Sequence, residues 1–137
     1  MLIQSFEDSD AWRQAHALTL GGYRVTSNYP KSETYGLTSQ LRRCAASVAA
    51  NLAEGYGRHS KNELRRFSQI ANGSLQETIY FLILSKDLGY LPEEDYDALM
   101  SIARRTGKLL GGIERSTRST RTKQPNKPTA NSSRLTA

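Results

Sequence analysis

From Tyr35 to Leu91 apolar positions recur every three or four residues on both sides of one short basic stretch, the period of two helices joined by a tight turn. On the N-terminal side Leu37, Leu41, Ala45, Val48 and Leu52 make one stripe, widened by Cys44, Ala49 and Ala53, and predict a helix from Thr34 to Glu54. Gly55 is placed to stop that helix in the left-handed conformation. Ser60, Lys61, Asn62 and Glu63 then form an S-x-x-E capping box ahead of a second period, which predicts a helix from Lys61 to Leu88. A connection this short makes the two helices antiparallel neighbours.

Two more helices flank this pair. Trp12, Ala15, Thr19, Tyr23 and Thr26 predict one from Asp8 to Ser27, with Phe6 placed to staple its entry and Asn28, Tyr29 and Pro30 ending it. Gly21 and Gly22 weaken that helix by about 1 kcal/mol each relative to alanine; they either allow a close helix approach or mark a local defect. Gly89 closes the third helix, and Pro92 with Glu93, Glu94 and Asp95 opens a fourth. Leu99, Ile102, Ala103, Leu109, Leu110 and Ile113 carry it to Glu114, past Gly107, Gly111 and Gly112. No strand alternation or internal repeat interrupts the series. The expected fold is all-α, an antiparallel up-and-down four-helix bundle over residues 1–115.

The third helix has more apolar surface than one core needs. Leu64, Phe67, Ala71, Leu75, Thr78 and Leu82 form an ordinary core stripe, yet Ile70, Ile79, Phe81, Ile83 and Leu84 lie elsewhere around it. A helix apolar on several faces buries more than one, and in a small bundle the second burial comes from another subunit.

Charge and composition narrow the function classes. The net charge of +6 belongs mostly to the end of the chain, because residues 1–115 carry 14 Lys and Arg against 13 Asp and Glu, whereas residues 116–137 carry five against none. That last segment is Ser, Thr, Pro, Asn and basic residues, and is expected to be a disordered basic tail. The N-terminus lacks a basic region followed by an apolar run, and Ile79 to Leu84 falls far short of the roughly 20 residues a membrane span needs. A cytoplasmic protein that avoids membranes is expected.

Cys44 is the only cysteine, which excludes an internal disulfide and a multi-cysteine metal site; its neighbours Ala45, Ala46 and Val48 point to core packing. His16 and His59 lie far apart and outside any metal-ligand spacing, and the glycines around Arg58 lack the spacing of a phosphate-binding loop. Glu54 and Glu77 are more simply ion-pair partners of Arg43 and Arg66 than a catalytic pair. The reading is a protein that is not an enzyme and needs no cofactor or metal.

Two polar constellations remain. Gln40, Arg43, Ser47, Asn51 and Glu54 fall at steps of three and four along one side of the second helix, and antiparallel pairing brings Glu54 toward Arg58 or Arg66 and Arg43 toward Glu77. They serve either as a hydrogen-bonded network that fixes subunit packing or as direct ligand contacts. Arg58, His59, Lys61, Arg65 and Arg66 gather at the start of the third helix, where free amides and the helix dipole favour anions. Such a turn is either a contact for a phosphate backbone, gripping by charge without reading bases, or a solvated and partly salt-bridged surface.

The residues Tyr35-Gly36-Leu37, Gln40-Leu41-Arg42-Arg43, Ser47-Val48, Asn51-Leu52-Ala53-Glu54-Gly55, Arg58, Ser60, Phe67, Ala71, Gly73-Ser74-Leu75 and Glu77 resemble the core pattern of the 23S ribosomal-RNA intervening-sequence family. Phe6-Glu7-Asp8, Trp12 and Leu88-Gly89-Tyr90-Leu91 extend the likeness. The resemblance implies a four-helix bundle assembled as a homopentameric ring. It also implies kinship with the accessory protein of diversity-generating retroelements, whose partners are a reverse transcriptase and nucleic acid. Ala49 departs from the pattern, standing where the family commonly has proline, so a proline kink in the second helix is not expected. The expected function is a non-enzymatic, oligomeric accessory protein that binds nucleic acid, RNA before DNA, without sequence specificity. A structural scaffold for a protein partner is the alternative.

Overall fold

Each helix begins where a backbone donor finds a side-chain acceptor or where none is needed. The Ser9 hydroxyl accepts from the Trp12 amide at 3.2 Å, and the Ser60 hydroxyl accepts from the Glu63 amide at 3.3 Å, one half of the expected capping box. Pro92 precedes a first turn rich in acids. The computed structural model describes residues 5–118, and in them α1 spans Asp10–Thr26, α2 Leu37–Gly57, α3 Lys61–Asp87 and α4 Glu93–Thr117, with single 3-10 turns at Phe6–Asp8 and Lys31–Glu33. No strand occurs among the described residues.

The helices run up and down. Tyr56 reaches Ser9 at one end of the α1–α2 pair, Thr19 faces the Ala45 carbonyl in the middle, and Arg42 reaches Thr26 at the other end. Between α2 and α3, Cys44 meets Thr78 and Ser47 meets Ser74. Between α3 and α4, Arg65 meets Glu114 and Lys86 meets Glu93. In every pair one partner's number rises as the other's falls. Each helix touches two neighbours in a closed square, with α1 also against α4.

Leu18, Leu41, Leu52, Leu75, Leu82 and Leu99 fill the centre with almost no exposure. The polar residues among them satisfy themselves locally: the hydroxyls of Ser68, Thr78, Ser85 and Thr106 donate to carbonyls of their own helices at 2.6 to 2.9 Å. Cys44 is a buried free thiol, and burial pushes its pKa up, as expected of a packing residue.

Three expectations need correction. Gly55 does not stop α2; it is a buried helical residue, and the chain first turns left-handed at His59, with φ of 53°. Glycine is needed there because α3 crosses close by: a Cβ would stand 2.9 Å from the Phe67 Cβ and 3.3 Å from the Leu64 Cα. The buried side of α1 is Ala11, Ala15, Leu18, Gly22 and Val25, and Tyr23 stays 48% exposed. The glycines belong to that face: Leu99 lies against Gly21, where a Cβ would collide with its side chain, so the choice between approach and defect falls to approach.

Third, α4 passes Glu114 and reaches Thr117, so the first two residues of the expected tail are helical. The rest of that tail, from residue 119, lies outside the described residues. At the end of α3 the expectation holds. Gly89 has φ of 81°, and the Gly89 and Tyr90 amides close the helix on the Lys86 and Ser85 carbonyls, both at 2.9 Å.

Candidate nucleic-acid interface

The overrun of α2 to Gly57 compresses the basic turn and sets its side chains against carboxylates. Arg58 lies 3.0 Å from Glu54 and 3.6 Å from Glu63, and Arg66 lies 3.4 Å from Glu63. Both guanidinium groups stand over the Phe67 ring, at 5.4 and 4.9 Å from its centre. Arg65 crosses to α4 and meets Glu114 at 2.9 Å. His59 and Lys61 are exposed and take part in no ion pair among the described residues. The five basic residues predicted for this site thus sit at one end of the bundle, three of them already answered by carboxylates. These pairs are solvent-accessible, and each is worth at most about 1 kcal/mol, so a phosphate can exchange for a carboxylate at small cost.

The Arg65 hydrogen bond holds the Glu114 carboxyl below the usual carboxylate range. The stabilisation it contributes is present above the ordinary glutamate pKa and is lost as pH falls through the lowered folded value.

His59 occupies the position after the α2 cap that glycine usually fills. A left-handed conformation costs an ordinary residue about 1–2 kcal/mol, partly offset in a glycine variant by its greater loss of chain entropy. His59→Gly is therefore expected to stabilise the bundle by about 0.5–1 kcal/mol and raise Tm by a few degrees in thermal denaturation. An unchanged or lower Tm would contradict the assigned turn.

The polar face of α2 is assembled only in part. Ser47 and Ser74 hydroxyls lie 2.8 Å apart, and the Asn51 amide donates to the Ser47 carbonyl at 2.8 Å and to its hydroxyl at 3.0 Å. Glu54 pairs with Arg58, not Arg66. Arg43 does not reach Glu77; it turns along its own helix and donates to Gln40 at 2.6 Å, leaving Glu77 exposed on α3. The physical reason is distance along one helix: a partner one turn away is met without spanning the interhelical gap.

A second cluster escaped sequence reasoning. Arg104, Lys108 and Arg115 follow one another on α4 at steps of four and seven, with Arg105 beside them; all are exposed, and none is in an ion pair among the described residues. The spacing was available in the sequence, but spacing alone does not tell a cation left unpaired from one answered by another helix. Beside this stripe a groove of about 220 Å³ opens between α3 and α4, lined by Ser68, Gln69, Asn72, Gly107, Leu110, Gly111 and Glu114. Among the described residues no three His, Cys, Asp or Glu side chains gather to hold a metal ion, and no helix is long and apolar enough to cross a membrane.

Comparison with known proteins adds the following. The family model described as 23S rRNA-intervening sequence protein matches residues 7–112. A crystal structure of a protein with unknown function from the S23 ribosomal protein family, from Bacteroides thetaiotaomicron VPI-5482, superposes with a TM-score of 0.68 at 21% identity, covering 76% of this chain and 97% of that one. At that identity the likeness is one of fold. No curated protein matches the chain.

Proposed function

Because this chain belongs to the 23S rRNA-intervening sequence protein family, we propose that it is a cytoplasmic, oligomeric accessory protein that holds nucleic acid, RNA by preference, through phosphate contacts. It does so without catalysing a reaction. One observation carries this reading: the exposed cations of α4 have no carboxylate partners among the described residues and run from the middle of the bundle, at Arg104 and Arg105, through Lys108 to Arg115 near the basic turn. Cations left unanswered within a fold are the ones that gain most from a polyanion, since each phosphate contact releases counterions. The family name supports RNA as that polyanion.

Assembly is the second half of the proposal. Ile70, Gly73, Glu77, Tyr80 and Leu84 follow at steps of three and four along α3, with Ile70 43% and Tyr80 56% exposed. The polar face of α2 adjoins this stripe, and Arg43 on α2 and Glu77 on α3 stand unjoined and available to a second copy. Subunits pack through this face into a ring, of five by the sequence resemblance, and repeat the basic surface around it. Phe81 is packed against the core of its own bundle, so a charge there damages the fold as well. Ile70→Asp is the cleaner probe.

A second reading, a scaffold for a protein partner, draws on the three turn arginines already paired with carboxylates. One experiment separates the two. The intact protein is expected to sediment as an oligomer and to bind unrelated RNA sequences alike, with affinity falling steeply as salt rises. Ile70→Asp is expected to shift it to monomer while the helix content stays. A protein without salt-sensitive binding leaves the scaffold, and a monodisperse wild-type monomer removes the ring.

A further inference from the structure

The groove between α3 and α4 is built to take more than a phosphate. Two α4 residues without side chains line it: a Cβ at Gly107 would stand in ordinary contact with Leu75, at 3.5 Å, and one at Gly111 with the Arg115 guanidinium, at 3.4 Å. Its α3 wall is uncharged. Ser68 is spent on the Arg65 carbonyl at 2.9 Å, but the Gln69 and Asn72 carboxamides, three residues apart and both exposed, line the opening with donors and acceptors to spare. Asn72 has only a long contact, its Oδ1 accepting from Gln76 at 3.5 Å. Glu114, held by Arg65, closes one end, and the cationic stripe of α4 runs along the outer edge with Arg115 folded back over Gly111.

About 220 Å³ is less than the pockets that enclose drug-sized molecules, and it suits one flat ring with a hydrogen-bonding edge. Side-chain amides are the groups that read base edges, and only an unstacked base can enter such a slot. An acidic side chain fits it poorly, because it would approach the Glu114 carboxylate. We propose that this groove receives a single unpaired base of a nucleic-acid strand, with Gln69 and Asn72 bonding its edge while Arg104, Lys108 and Arg115 hold the neighbouring phosphates. The inference rests on the phosphate-holding reading above and adds a preference for single strands over duplex.

The test uses the full chain and two probes, a short single-stranded RNA of mixed sequence and the same strand annealed to its complement. Gly111→Leu fills the groove, and leucine favours helix over glycine, so the bundle is kept. Its binding to the single strand is expected to fall on the order of tenfold, with duplex binding unchanged. Gln69→Ala with Asn72→Ala, on the exposed wall of α3, is expected to give the same selective loss without touching α4. The groove assignment is overturned if the double alanine variant binds both probes like wild type, or if Gly111→Leu weakens both equally, which reports only a displaced Arg115. Wild-type protein that binds neither probe overturns the phosphate reading as well, so the two failures are told apart.

Discussion

Alanine at Gly55 is expected to destabilise the bundle by about 1 kcal/mol and valine by about 3 kcal/mol or more, although alanine is the better helix former by about 1 kcal/mol. Helix propensity and packing pull in opposite directions at this residue, and distance decides between them. The new Cβ would stand 2.9 Å from the Phe67 Cβ and 3.3 Å from the Leu64 Cα, so the obstacle includes the backbone of α3 and the root of a side chain, neither of which can swing aside. The two helices must separate, and the interface between α2 and α3 loosens along its length. Gly57, two residues on in the same helix, has nothing within 4 Å, and there alanine is expected to be neutral or stabilising by up to about 1 kcal/mol. Urea denaturation of the three variants at one protein concentration reads the contrast directly. A Gly55→Ala protein as stable as Gly57→Ala would show that the crossing has room to spare.

Neutralising Arg104, Lys108 and Arg115 together to glutamine is expected to weaken binding of unrelated single strands alike and to make the dependence of log affinity on log salt shallower by about 2, from roughly 0.7 per contact. The same change at Arg58, Lys61 and Arg65 is expected to flatten the slope less. Arg58 and Arg65 are already neutralised by Glu54, Glu63 and Glu114, so a phosphate at the turn displaces a carboxylate as well as counterions. Fluorescence anisotropy across a salt series, with sedimentation to check that both variants still assemble, gives both slopes. Equal slopes for wild type and the α4 variant would remove that stripe from the interface and return the binding site to the turn or to residues beyond it.

These effects were legible in the chain to different degrees. The four helices could be read because apolar spacing, a serine cap, a closing glycine and a proline-led acidic turn are local signals that act within a few residues. The Ser60 cap and the Gly89 stop sit where they were expected. The five basic residues of the turn were likewise gathered by sequence proximity alone. The meeting of Glu54 with Arg58 was readable too, one helical turn apart, but the partner of Arg65 was not, because Glu114 lies 49 residues away and only antiparallel packing brings it there.

The glycines mark the division most clearly. By itself the sequence determined the helical period, the caps and the surplus of apolar faces on α3, since each follows from the spacing of side chains along one helix. Tertiary structure alone decided that Gly55 is a crossing point and His59 the left-handed residue, because a glycine looks the same in sequence whether it serves backbone freedom or close approach. It also decided which cations remain unanswered. A charge that finds no partner one turn away along its own chain is paired or free according to what a neighbouring helix carries within about 4 Å, and that distance is set by the packing of the leucine core and not by the charged residues themselves.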